Sequence, residues 1–417
     1  MTLARDIPNV LASFRTNRRD LWMTSHADEF AFEAEQTVPL LADMAEDYGA
    51  KDVIPVVRKA IASTFRVLMR ADDSNGSIQV VIRELLALHA ELCVQEPPSP
   101  ATLSSWIQKQ QFGEIGDYFA IDVADYAEAL GKRGLVRFEQ QLDKRRAELS
   151  WFTESPELEF NHDDEWQPRH ALRYNLQRLA VLRGDEEAIV RTHGGDLPKA
   201  HMRADAAKAL AEAGFIDRAA DVAHEGMSLD GADFQQQKCG ELWVELVTRA
   251  ERVDAAAAAF EVFERWPTAA NARAWQQASG DAWRLNREAA IERLRRRAWE
   301  LIAYLLGDGD VERAWREALQ AAEDGRSLHA DQWDDLVARY AKIDPVAVLP
   351  IMAQLIDDRL IEANTRVYPG AVRRMKALVA AARAAARPEF ATEYLAELRD
   401  RYRRRPSLIQ RMDAAGL

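Results

Sequence analysis

The residue types that could do chemistry gather at few places in this 417-residue chain. Asp72-Asp73-Ser74-Asn75-Gly76-Ser77 offers oxygen ligands of the kind a calcium loop uses. In EF-hand register, however, the first position is Ala71 and the twelfth Ile82, so the two strongest carboxylate ligands are missing. The same stretch reads as a structural turn that stops one helix and supplies N-cap side chains to the next. His89 and Cys93 stand four apart, a helical spacing that can aim an imidazole and a thiolate at one metal. No further ligand is near them in sequence, and a buried structural pair is the competing reading. His162-Asp163-Asp164-Glu165 has ligand types within what reads as a solvated acidic loop. His193, His201, His224 and Cys239 are scattered and carry no nucleophile-elbow signature. Gly194-Gly195 and Gly307-Asp308-Gly309 match neither Walker nor dinucleotide fingerprints. Arg183-Gly184-Asp185 spells an adhesion tripeptide but reads as a turn. The sequence therefore assigns no catalytic residue, metal or cofactor. An enzyme here would have to assemble its site from distant groups, and a pocket gathering His89, Asp72 and Asp73 would be its sign.

Binding chemistry is better represented. Of eleven tryptophans, Trp243, Trp275, Trp283, Trp299, Trp315 and Trp333 are among those in the later part. They are either core aromatics bridging stacked helices or, for Trp243, Trp275, Trp283 and Trp315, candidate anchors for a partner. Arg293, Arg295, Arg296 and Arg297 are placed mid-helix. Arg399, Arg401, Arg403, Arg404 and Arg405 end the last long helix before Pro406, where cations offset the helix dipole or form a phosphate-binding patch. The net charge is −13, which disfavours nucleic acid and acidic membrane surfaces for the molecule as a whole. The charge is uneven: residues 366–417 hold 12 Lys+Arg against 5 Asp+Glu, and the remainder 43 against 63.

The elements that must position these groups are helical. Gly (19) and Pro (15) are sparse, Ala, Leu, Glu and Arg dominate, and no stretch alternates with the period of a strand. Helices are expected at 28–48, with Pro39 as a kink or break, and at 53–69, 78–93, 101–111, 118–130 and 135–149. Gly131 and Gly134 are expected to reverse the chain between the last two. The stretch 151–168 reads as an acidic connector. From 169 to 417 one pattern recurs. A helix closes on a small residue at Gly184, Gly214, Ala250, Gly280 and Gly309, at gaps of 30, 36, 30 and 29. Two helices and two tight turns fill roughly 30–45 residues, the period of an α-solenoid. An acidic residue follows each (Asp185, Asp217, Asp254, Asp281, Asp310), placed to cap or charge-stabilise the next helix. An alanine returns about five residues on, as at Ala219, Ala255 and Ala314, allowing close packing. Asp344-Pro345, Pro369 and Pro388 read as further helix starts.

Several of these motifs also resemble a known family. Asp72 through Ile78, Leu85 through His89, Asp125-Tyr126-Ala127-Glu128-Ala129-Leu130-Gly131 with Gly134-Leu135, Ala211 through Gly214, Arg218-Ala219-Ala220 and Tyr394 through Arg399 together resemble a bacterial all-helical domain of unknown function. That domain is often fused behind a SWIM-type zinc finger. The resemblance implies a tetratricopeptide-like array over most of the chain, and no known activity. The finger's own Cys-x-Cys and Cys-x-His ligands are absent, since the cysteines are Cys93 and Cys239.

The expectation is an all-α protein: an N-terminal helical region (1–150), an acidic connector (151–168) and a tetratricopeptide-like α-solenoid of helical hairpins (169–417). With two separated cysteines, no secretory h-region at the N-terminus and no apolar span, a cytoplasmic location is expected. The function expected is non-catalytic binding of an unidentified protein or peptide. The alternative is a nucleic-acid-associated accessory role for the arginine-rich end.

Overall fold

A computed structural model describes residues 3–154, 164–229, 231–326, 328–361 and 364–417. His162 and Asp163 of the acidic connector lie outside the described residues. Among those described, every regular element is helical, as helix-favouring composition dictates. The chain divides into two compact units, Met1–Leu246 and Val247–Leu417.

The first unit begins with α1 (Leu3–Ala12), α2 (Thr24–Glu35), α3 (Val38–Tyr48), α4 (Ala50–Leu68), α5 (Ser77–Gln95), α6 (Pro100–Gln111) and α7 (Ala127–Glu148). Pro39 does break the 28–48 stretch, sitting in the first turn of α3, where its missing N–H costs nothing. The expected helix at 118–130 is not there. Two short 3₁₀ turns, Glu114–Asp117 and Val123–Tyr126, precede α7, and Gly131 (φ 57°, ψ −178°) is non-helical and kinks α7. Val53, Val57 and Ile61 of α4 and Ile78, Ile82 and Leu85 of α5 are buried in one core. Fully burying each such side chain contributes about 1.5–3 kcal/mol.

The unit continues through α8 (Trp166–Arg183), α9 (Glu186–Thr192), α10 (Ala200–Glu212), α11 (Ile216–Gly226) and α12 (Asp233–Arg249). α8 opens at Trp166, inside the stretch expected to be a connector. Its Leu172 and Leu179 join the same core as Leu130, Phe138 and Leu142. The N-terminal helices and the first repeats thus share a core, and the boundary between compact units falls at Leu246 rather than within 151–168.

The second unit contains α13 (Ala255–Arg265), α14 (Ala269–Ser279), α15 (Trp283–Leu294), α16 (Ala298–Gly307), α17 (Val311–Glu323), α18 (Ala330–Tyr340), α19 (Leu349–Leu360), α20 (Tyr368–Ala384), α21 (Pro388–Arg401) and α22 (Pro406–Ala414). From α13 to α21 each helix packs on the next in the chain, and α14 also packs on α16, α16 on α18 and α20 on α22. That is the quasi-one-dimensional order of a helical repeat protein, in which a hairpin buries one face only when its neighbours cover it. Asp344 does not open α19. Its carboxylate accepts from Val346 and Ala347 N–H at 3.0 Å each, closing a turn ahead of Leu349.

One hydrogen-bond motif makes most of the hairpin turns. After α10, Gly214 N–H donates to Ala211 O (3.2 Å) and Phe215 N–H to Leu210 O (2.9 Å). The same pair of bonds forms around Gly184, Gly309, Gly325, Glu251 and Ala386. This is the Schellman arrangement, which needs one residue in the left-handed region and uses up carbonyls the helix end would otherwise leave unpaired. The glycines supply it without strain; Glu251 (φ 52°) and Ala386 (φ 53°) do not. The turn expected at Ala250 therefore has its left-handed residue one position later. Gly280 is an exception: it opens a 3₁₀ turn, Gly280–Ala282, that leads directly into α15. Asp185 and Asp310 cap the next helix through Ala188 N–H (3.0 Å) and Arg313 N–H (3.2 Å). Ala386→Gly is expected to raise stability by about 0.5–1 kcal/mol, the left-handed strain relieved less the added unfolded-state entropy. A urea midpoint at or below that of the parent protein would show that the turn is unstrained.

Candidate functional site

A cavity of about 500 Å³ opens between α18, α19 and α20. Each helix contributes one stripe in steps of three or four residues, the spacing that keeps side chains on one face. Val337 and Ala338 come from α18, Met352 and Leu355 from α19, and Ala377 and Ala381 from α20. Ala338 and Ala377 are exposed. Their small side chains leave the apolar floor open, where leucines would have filled it.

The rim is charged. Arg374 is half-buried, pairs with Asp334, and directs Nη1 toward Leu355 O at 3.5 Å. Arg359 lies against α20 because residue 370 is glycine; a Cβ there would stand 2.9 Å from Arg359 Nε. Among the described residues neither Arg359 nor Arg373 has a hydrogen-bonding or ionic partner, and both are exposed. A second cavity of about 420 Å³ shares Leu355, Arg359 and Arg374 with the first and extends to Trp333, Leu328 and Gly325. Among the described residues the combined lining carries neither histidine nor cysteine nor a hydroxyl side chain. Its polar groups are guanidiniums and the carboxylates of Asp331, Asp334 and Asp358, set around an apolar floor.

This groove was not picked out by sequence reading. The available signal was Gly370, Arg373, Ala377 and Ala381 recurring at helical spacing, small and cationic residues on one face of α20. That pattern names a face but not what lies opposite it.

The sequence-derived candidates lie elsewhere. Trp243, Trp275, Trp283 and Trp315 are all buried. Trp243 stacks on His224 with ring centroids 4.0 Å apart, and Trp315 on Tyr340 at 4.5 Å. They fill hairpin cores and present no open face to a partner.

Asp72 and Asp73 hold a turn. Asp73 accepts from Ile78 N–H (2.8 Å) and Gln79 N–H (3.2 Å), capping α5. Asp72 accepts from the Thr24 hydroxyl (2.9 Å) and Ser74 N–H (3.2 Å), which lowers its pKa. Ser77 donates to Asp28 at 2.9 Å, and Gly76 takes φ 77°. Among the described residues no three His, Cys, Asp or Glu side chains gather as a metal site would require.

His89 lies more than two turns beyond this cap, fully buried. Arg58 Nε donates to its Nε2 (2.9 Å), and its Nδ1 is 3.0 Å from the Tyr126 hydroxyl. With Nε2 accepting, the neutral ring carries its proton on Nδ1 and donates it to Tyr126. Trp106 lies over the imidazole at 4.0 Å. Both nitrogens are engaged, so no lone pair faces a metal. Burial, with Arg58 beside it, depresses the His89 pKa to about 3, and burial raises the Cys93 thiol to about 11. The His89–Cys93 pair is structural, with His89 buried in the core and Asp72 and Asp73 engaged in the turn.

The arginine clusters also differ from expectation. α15 ends at Leu294, so Arg295, Arg296 and Arg297 form the turn before α16 rather than a mid-helix run. α21 ends at Arg401, and Arg403, Arg404 and Arg405 bridge to a further helix, α22. Arg399 bonds Asp413 (2.7 Å), Arg401 bonds Asp357 (3.0 Å), Arg403 bonds Asp400 (3.0 Å) and Arg405 donates to Leu360 O (2.7 Å). Three of the five thus tie α21 and its following turn to other elements, and Arg403 pairs within its own turn.

No family model matches the chain, and no curated protein does. A solved structure described as a "circular tandem repeat protein with novel repeat topology and enhanced subunit contact surfaces" aligns over 98% of this chain and 96% of its own, at 14% identity and a TM-score of 0.19. The repeat class rests on the helices, turns and packing described above. Among the described residues no helix is long and apolar enough to cross a membrane.

Proposed function

We propose that this protein is a helical-repeat scaffold that binds a protein or peptide segment in the groove between α18, α19 and α20. The observation that carries this reading is an apolar floor left open by Ala338 and Ala377 and rimmed by arginines without partners. Apolar surface seeks burial, and convergent polar groups at its edge supply orientation. A cytoplasmic location goes with it, supported by two buried, unpaired cysteines. The nucleic-acid alternative draws less support, because the C-terminal arginines are largely committed to local carboxylates and carbonyls.

A photocrosslinking amino acid at Ala377 tests the reading. In lysate of the source cells it is expected to give discrete polypeptide adducts, while the same probe at Glu251, exposed and away from the groove, gives none. Equal labelling at both positions, or none at either, would remove the groove from consideration.

A further inference from the structure

The groove continues along successive hairpins of the second unit. Arg326 lines the 420 Å³ cavity and also two further hollows: one beside Arg295 and Arg296 at the end of α15, the other beside Arg313 and Arg316 on α17. Arg295 lines both of those hollows, and Leu355, Arg359 and Arg374 line both cavities, so the four concavities adjoin one another as a track with shared walls. The arginines along it fall into two kinds. Arg295 is locked by Glu317 (3.0 and 2.7 Å), Arg326 by Asp324 and by Arg295 O (2.5 Å), and Arg374 by Asp334. These build the walls. Arg296, Arg316, Arg359 and Arg373 are exposed and make no hydrogen bond or close ion pair among the described residues, although Arg316 lies in the field of Glu317. The carboxylates of the lining that are likewise unpaired are Asp331 and Asp358.

We propose that the track binds an extended acidic peptide segment. One or more of its apolar side chains would rest on the Ala338–Ala377 floor, and its carboxylates would meet Arg359 and Arg373 and then Arg316 and Arg296. This rests on the peptide-binding reading above and adds the chemistry of the occupant. Exposed guanidinium groups without a bound carboxylate suit bidentate carboxylate pairing. The electrostatics favour a polypeptide over a nucleic acid. The second unit carries 28 Lys+Arg against 26 Asp+Glu, and the walls alternate arginine with carboxylate (Glu264, Glu292, Glu317, Asp324 and Asp334). A peptide can place its acidic side chains at the four open cations only, whereas an unbroken run of phosphates would also lie against those carboxylates. Nor does the track offer exposed rings for base stacking: Trp333, which lines it, is buried.

The test is selection of a displayed library of random 16-residue peptides on the full chain. Binders retained by the parent protein but not by Ala377→Trp, which fills the floor, are sequenced. Enrichment of Asp and Glu around an apolar residue is expected. A selected peptide should bind at least tenfold more weakly to the Arg359→Glu/Arg373→Glu variant, and also when NaCl is raised from roughly 0.05 to 0.5 M. Both arginines are exposed, and an unchanged circular-dichroism melt confirms that the variant folds. Groove-dependent binders without acidic enrichment would overturn the acidic-segment proposal and leave the groove reading standing. No Ala377→Trp-sensitive binder would overturn both. Binding of a 20-nucleotide oligothymidine that competes with the selected peptides and is lost in the double variant would overturn the choice of polypeptide.

Discussion

Trp275→Ala is expected to destabilise the second unit by about 3–5 kcal/mol, the range for truncating a buried aromatic side chain. Trp275 is 6% exposed. Its ring centroid lies 4.8 Å from Phe260 and 5.5 Å from Phe263, both on α13, and 5.1 Å from Trp283 on α15. Trp283 in turn stands 6.3 Å from Tyr304 on α16. Removing Trp275 deletes the shared member of these contacts. In a repeat array, stability is carried by interfaces between neighbours, so the lost area cannot be recovered elsewhere. Trp299→Ala is the control. That side chain is 42% exposed, and its loss is expected to stay within about 0.5 kcal/mol. Urea titrations followed by circular dichroism measure both. Equal midpoints for the two variants would mean that Trp275 is not a core residue and would return it to the list of surface anchors.

Acidification is expected to weaken the first unit through His89, by roughly 3–5 kcal/mol in all between pH 6.5 and 3. The folded protein keeps this imidazole neutral down to about pH 3, first because the ring is buried and then because the Arg58 guanidinium, which donates to Nε2, repels a second positive charge. The unfolded chain takes up that proton near pH 6.5. Between those values the unfolded state binds more protons, so stability falls as pH falls. The contribution is intact above pH 6.5 and gone by about pH 3. Carboxylates titrate over part of the same window, so the comparison is with His89→Gln, whose amide can accept from Arg58 and donate to Tyr126 without titrating. Below pH 6 the parent protein should lose up to about 1.4 kcal/mol per pH unit more than the variant. Parallel stability–pH curves would show that His89 is protonated in the folded state.

What could be read from the chain follows the range of each interaction. The helices at 53–69, 78–93 and 101–111 were legible because their apolar residues recur within one or two turns. The hairpin punctuation was legible at Gly184, Gly214 and Gly309 because a Schellman turn demands a left-handed residue and glycine supplies it. Where Glu251 and Ala386 perform that task, no glycine marks the left-handed residue, and the closure read at Ala250 falls one position early. The expected helix at 118–130 failed for the converse reason: helix-forming residues there are drawn into 3₁₀ turns, with Ile115, Phe119, Ile121 and Val123 buried in the core.

The sequence by itself determined an all-helical chain, its hairpin period and the turn chemistry that joins its helices, because these depend on residues three to six positions apart. Tertiary structure alone decided which groups are available for binding. Arg374 is neutralised by Asp334, 40 residues away, and Arg401 by Asp357, 44 away, while Arg359 and Arg373 are left open. The four candidate tryptophans turned inward because stacking neighbours bury large apolar rings more favourably than solvent accommodates them. The groove floor exists only because Ala338 and Ala377, far apart in the chain, face each other across a gap that no local pattern encodes.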